Sequence, residues 1–289
     1  MTVEYVRPSS LAEALSAAAK PGARLLAGGT DILLPPRDGS DPVLTLVSLR
    51  DLAELRGIRR DGDGSWVLGA AVTHDEVSRD PAMVRVFPAL AAACRAVGSP
   101  AVRSVATVVG NICTAAPSAD AAVPLLAYGA EVIVAAGQPV ERRIPLRGFF
   151  TGPRRTVLAH GDVVTGVRLP DPGRYGAAFH RVSRRRALDI AQVCVAAVVW
   201  IGPGGECEDL SLALGSVAPT PLLVPGVAEV ARDRRCSASL LDELAAAAVA
   251  AARPISDVRA SAAYRRSMVA ALTRAAVEEA WGRAEGRVS

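Results

Sequence analysis

Two short segments far apart in the chain, residues 25–32 (Leu25-Leu26-Ala27-Gly28-Gly29-Thr30-Asp31-Ile32) and residues 107–120 (Thr107-Val108-Val109-Gly110-Asn111 running on to Ser118-Ala119-Asp120), share one design. In each, an apolar run delivers the chain into small residues and then a polar tip. Glycine removes the Cβ that would hold a ligand off the backbone amides, and Thr, Asn, Ser and Asp supply fixed donors and acceptors. A surface of this kind suits a diphosphate and a polyol. Neither segment is a standard nucleotide fingerprint: there is no G-x-G-x-x-G and no G-x-x-x-x-G-K-[ST], which disfavours a Rossmann domain and a P-loop. Gly28-Gly29 alone reads equally well as a strand-to-loop turn. The second segment carries more weight, because Asn111, Thr114, Ser118 and Asp120 sit in an apolar stretch where polar groups need partners.

Around these segments the pattern alternates between strands and helices. Tyr5-Val6 reads as a strand, Ser10 as the cap of a helix over 11–19, and residues 24–27 and 43–46 as further strands. A strand over 66–71 runs into Thr73-His74-Asp75-Glu76, a helix start. A helix over 87–96, a short one over 124–128, and strands over 131–135 and 163–169 follow. Pro170-Asp171-Pro172-Gly173 is the clearest linker. Beyond it come strands over 190–201 and 210–216, then helices over 240–252 and 264–281. Strands followed by helices in this way indicate an α+β class.

The 289 residues are enough for two domains or one large one, and 51% hydrophobic content excludes a disordered chain. The net charge of +4 is mild, and aromatics, at 4%, do not interleave with Arg184-Arg185-Arg186, so no nucleic acid is expected. Cys94, Cys113, Cys194, Cys207 and Cys236 are scattered without a C-x-x-C pair. That pattern fits a reducing cytosol and leaves this chain without a clustered iron–sulfur or zinc site. No apolar run is long enough to span a bilayer and the first residues lack a secretory apolar core, so the expected location is the cytoplasm. Of the three histidines, His74 reads as a capping or packing residue and His160 as an exposed one. Asp162 and Asp189 read as structural carboxylates, and no serine has the context of a hydrolase nucleophile.

Three motifs in order carry a family resemblance: residues 27–33, residues 107–120, and Arg181-Val182-Ser183-Arg184-Arg185 leading to Asp189-Ile190-Ala191. With Leu214 to Pro221 and Asp257 to Arg266, they resemble the FAD-binding medium subunit of the molybdenum hydroxylases, a group that includes the carbon monoxide dehydrogenase and xanthine dehydrogenase families. The resemblance implies a p-cresol methylhydroxylase-like, two-lobed FAD-binding domain (lobes 1–60 and 61–172). A C-terminal α+β domain over 176–289 follows, with a three-stranded sheet and helices. It implies that Leu25, Leu26, Ala27, Gly28, Gly29, Thr30, Asp31 and Ile32 hold the FAD diphosphate. Thr107, Val108, Val109, Gly110 and Asn111 form the opposite wall, and Thr114, Ser118 and Asp120 complete it, with Asp120 on the ribityl or diphosphate region. Val97 and Val164 fall at flavin-facing apolar positions and His180 at a polar position near the flavin; none of the implied roles is catalytic.

One position departs from the family pattern: Val109 stands where the first of two glycines is usual. A β-branched residue holds φ negative, so the loop is expected to differ there if that glycine is left-handed. The implied function is electron transfer from iron–sulfur clusters through FAD to an external acceptor such as NAD, oxygen or a quinone. The implied partners are a molybdopterin-containing large subunit and a small subunit with two-iron two-sulfur clusters. Two other readings stay open: a free-standing flavoprotein oxidoreductase acting on a small molecule, and a cofactor-free structural subunit.

Overall fold

The computed structural model describes residues 3–34, 44–185 and 188–287. Val43, expected to open a strand, and Arg186, of the arginine run, lie outside the described residues. The N-terminal lobe is built from β1 (Glu4–Val6), α1 (Leu11–Ala18), β2 (Ala23–Leu26) and β3 (Thr45–Ser48). Its three strands are parallel in the order β1-β3-β2. Ser10 caps α1 by accepting from Glu13 N, and Ala14, Leu15, Ala17 and Ala18 turn inward at helical spacing. Because β2 ends at Leu26 beside Ser48, the first glycine segment emerges at the carboxyl edge of this small sheet.

The middle lobe comprises β4 (Ile58–Arg60), β5 (Trp66–Gly69), α2 (His74–Arg79), α3 (Pro81–Val86), α4 (Pro88–Ala96), α5 (Pro100–Arg103), α6 (Val108–Cys113) and α7 (Ala122–Ala127). It continues through β6 (Glu131–Ala136), β7 (Gln138–Pro145), β8 (Phe150–Gly152), β9 (Arg155–Thr156) and β10 (Asp162–Leu169). Its antiparallel sheet runs β4-β5-β10-β6-β7, and β8 and β9 form a separate hairpin. The helix starts are written locally. Thr73 and Glu76 form a capping box on α2, Asp80 caps α3, and Pro stands in the first turn of α3, α4 and α5.

The C-terminal lobe has β11 (Tyr175–Val182), β12 (Val193–Ile201), β13 (Cys207–Gly215) and β14 (Leu222–Leu223), then α8 (Val227–Ala231), α9 (Ala238–Ala251) and α10 (Ala262–Ala284). The implied three-stranded sheet is extended by the two-residue β14, which pairs with β13 through Ala213 and Leu214. The near-unbroken apolar run of β12 follows from burial on both faces. Val193, Val195, Ala197 and Val199 face a core shared with α9 and α10, while Cys194, Ala196 and Val198 face the main core shared with the middle lobe. One sheet therefore joins the C-terminal lobe to the middle lobe.

The second glycine segment is not an extended loop. Thr107 accepts from Gly110 N at 2.9 Å and starts α6, so Val109 is a helical residue, 5% exposed and packed into the main core. Val109 is not among the residues with positive φ. Its backbone is of a kind that any β-branched residue adopts.

Candidate functional site

The two glycine segments meet. A Cβ on Gly28 would lie 2.0 Å from the Val105 carbonyl oxygen and 2.9 Å from Ala106 Cα, so only glycine lets the first loop lie against the backbone leading into Thr107. Gly29 follows at φ +76°, the left-handed region. The chain then coils into a turn closed by Leu33 N on Gly29 O and Leu34 N on Asp31 O. Among the described residues the N–H groups of Gly28, Gly29, Thr30, Asp31 and Ile32 find no hydrogen-bond acceptor. Five successive amides with no partner among the described residues are donors open to an anion.

Asp31 does not offer its carboxylate to those amides as a free group. Its Oδ2 accepts from Thr114 Oγ1 at 3.3 Å and from Arg154 at 2.9 Å. Thr114, expected as a ligand, thus joins the end of α6 to the first loop, and the Thr107 hydroxyl serves as the cap of α6. Leu25 and Leu26 end β2, and Val108 is wholly buried in the core. Asn111, half-buried three residues after Val108 in α6, keeps a buried Oδ1 with no partner, and Ser118 lies half-buried in the turn before Asp120.

Asp120 is 8% exposed. Burial pushes its carboxyl up to about 7, against the lowering pull of Arg181. Arg181 Nε stands 3.5 Å from Asp120 Oδ1, an ion-pair distance without hydrogen-bond geometry. The rest of that guanidinium is committed to two carbonyls, Ala96 O and Asp189 O, each at 2.7 Å. In the sequence Arg181 stands out only as part of a motif. Its side chain in fact ties the end of α4, the second segment and the loop before β12 together, a role visible only once β11 is placed beside α4.

The remaining expected positions are dispersed. Val97 closes α4, half-buried, with its carbonyl held by Arg103 at 2.9 Å. Val164 is 4% exposed in β10, beside the bulge before Gly166. His180 Nε2 meets Glu279 Oε2 at 2.7 Å, a hydrogen bond between β11 and α10. His74 is buried, with Nδ1 at 3.3 Å from Cys94 Sγ, and burial assisted by Arg103 lowers it to about 4, so the ring is neutral. Asp162 accepts from Arg142 and from Ala159 N, as a structural carboxylate does. No group of three or more His, Cys, Asp or Glu side chains able to hold a metal occurs among the described residues. No helix among them is long and apolar enough to cross a membrane.

This geometry fits FAD. A row of open amides suits its diphosphate, and the orphaned buried Asn111 Oδ1 and Asp120 Oδ1 are polar atoms that a bound polyol would satisfy. Sequence families agree with the fit. The FAD binding domain in molybdopterin dehydrogenase matches residues 1–172, and the CO dehydrogenase flavoprotein C-terminal domain matches residues 178–280. The putative xanthine dehydrogenase FAD-binding subunit of Escherichia coli (strain K12) is 34% identical over 98% of each chain. The carbon monoxide dehydrogenase medium chain of Afipia carboxidovorans is 31% identical, again over 98% of each. Among solved structures, a chain of the Hydrogenophaga pseudoflava carbon monoxide dehydrogenase superposes with a TM-score of 0.91 at 28% identity, covering 98% of both. The chain belongs to the FAD-binding medium subunits of the molybdenum hydroxylases, and it is an oxidoreductase subunit whose cofactor is FAD.

Proposed function

We propose that this chain carries electrons within a molybdenum hydroxylase complex, taking them from iron–sulfur clusters on a small partner subunit and passing them to an external acceptor. A molybdopterin-containing large subunit would oxidise the substrate. The observation that carries the reading is the row of amides at 28–32 that have no partner among the described residues, set against a wall with orphaned buried polar atoms, on a chain that matches medium subunits over 98% of its length. FAD, when bound, supplies redox chemistry in one- and two-electron steps.

The protein's own residues bind and orient. The 28–32 amides receive the diphosphate, and Gly28 keeps the two walls in contact. Asp120 holds its proton up to a pH of about 7, so it can donate to, as well as accept from, a hydroxyl of the ribityl chain. Arg181 fixes that carboxyl from the C-terminal lobe. His180, hydrogen-bonded to Glu279, sets a polar group where β11 meets α10.

Purification of the tagged chain from its native host, with flavin and metal analysis of whatever accompanies it, tests this reading. A three-chain assembly containing molybdenum, iron and FAD is expected. A metal-free flavoprotein that turns over a small molecule alone would replace it with the free-standing alternative.

A further inference from the structure

The proposed diphosphate nest has a carboxylate built into it. Asp31 belongs to the same turn as the unpartnered amides, and an unpaired negative charge there would repel the phosphates that those amides attract. The structure answers this charge from outside both glycine segments. The β8–β9 hairpin turns through Gly152-Pro153-Arg154-Arg155, and Arg154 sends its guanidinium to Asp31 Oδ2 at 2.9 Å. The hairpin tip is itself pinned, because Arg154 N donates to Ala115 O at 2.9 Å. Both residues of this contact are left-handed without being glycine, Arg154 at φ +59° and Ala115 at φ +49°. A conformation disfavoured for side-chain-bearing residues persists only where the surroundings hold it. Thr114, next to Ala115, donates to the same Asp31 oxygen, so three segments distant in sequence converge on one atom.

We propose that Arg154 is a positioning residue for the cofactor: held at the hairpin tip, its guanidinium cancels the Asp31 charge beside the nest and adds a favourable potential for the diphosphate. The inference rests on residues 28–32 being the diphosphate site. It requires no direct contact between Arg154 and FAD, and it gives the hairpin a task that its own short strands do not explain. Guanidinium suits the position, because its rigid planar fork can donate to Asp31 and hold its positive charge beside the loop.

The test is a titration of deflavinated full-length protein with FAD and, separately, with riboflavin, following flavin fluorescence. It is run on wild type, Arg154→Gln, Arg154→Lys and the double variant Arg154→Gln/Asp31→Asn. Arg154→Gln is expected to raise the FAD dissociation constant tenfold or more, with the loss shrinking at high salt. Riboflavin, which has no phosphate, is expected to bind the variant and wild type alike. Arg154→Lys is expected to recover part of the loss, and the double variant to bind FAD more tightly than the single one. Equal FAD affinity of Arg154→Gln and wild type would overturn the proposal. So would a double variant as weak as the single one, or an equal loss for riboflavin, since either makes the hairpin a structural prop. If Arg154→Gln does not fold, the Lys and double variants decide by the same comparison of FAD with riboflavin. A wild-type chain that takes up no FAD overturns the site reading beneath it, an outcome distinct from all of these.

Discussion

Gly28 and Val105 touch through their backbones, with the position of a Gly28 Cβ only 2.0 Å from the Val105 carbonyl oxygen. The contact joins the loop leaving β2 to the segment that enters α6, and so sets the width of the cradle. Backbone cannot yield as a flexible side-chain end can. Gly28→Ala is therefore expected to push the loop off Val105, lowering stability by about 1–3 kcal/mol and weakening FAD retention together. Urea unfolding and the flavin content of the purified protein check this. A variant with wild-type stability and flavin content would show that the two walls need not touch.

Much of this arrangement was legible locally. The Ser10 cap and the Thr73–Glu76 capping box are short-range chemistry, readable from spacing alone, and both are formed. The turn at Gly28-Gly29 was legible for the same reason. The direct contact of the two glycine segments was not, since it depends on how a parallel three-stranded sheet and an antiparallel five-stranded one are set side by side. Nor was α6, whose six residues Val108–Cys113 show no helical periodicity and are held by one Thr107 cap. β11 hides its strand character in the small residues Gly176-Ala177-Ala178, chosen for close packing: a Gly176 Cβ would fall 1.9 Å from Ala280 O of α10. The roles of Arg181 and Arg154 were equally invisible, because Ala96 lies 85 residues from Arg181 and Asp31 lies 123 residues from Arg154.

Asp120 makes a pH prediction with a definite sign. An aspartate that titrates near 3.8 when unfolded and about 7 when folded binds more protons in the folded state between those values. Its contribution to stability is fully present below about pH 4 and is lost as the pH rises toward about 7. Asp120→Asn should flatten that part of the stability profile of the deflavinated protein. At pH 7.5 the variant should be the more stable one, by at most on the order of 4 kcal/mol. Urea midpoints at pH 5 and pH 7.5 decide it. An unchanged pH slope in Asp120→Asn would remove Asp120 as the titrating group.

The thiols of Cys94 and Cys194 are wholly buried, and burial followed by the nearby Asp120 charge raises both well above the ordinary range. Thiolate is the reactive form, so neither should react with an alkylating reagent in the folded protein at pH 8. Their labelling rates should follow global unfolding as urea is added, because α4 and β12 are core elements. Mass spectrometry after timed alkylation reads the rates site by site. Fast labelling of Cys94 in native buffer would reveal local opening of α4.

Val109 offers the most direct check on what the departure from the family's two-glycine pattern means. The residue is helical, 5% exposed, and packs with the main core. Val109→Gly restores the usual pattern, yet it removes a buried side chain worth about 1.5–3 kcal/mol and places glycine inside a helix at about 1 kcal/mol more. A net destabilisation of roughly 2.5–4 kcal/mol is expected, with FAD held no more tightly than by the wild-type chain. The valine then contributes packing at a position whose backbone never needed left-handed freedom. Urea unfolding paired with FAD titration separates the two effects. A tighter FAD complex in Val109→Gly would mean instead that the valine side chain narrows the cradle.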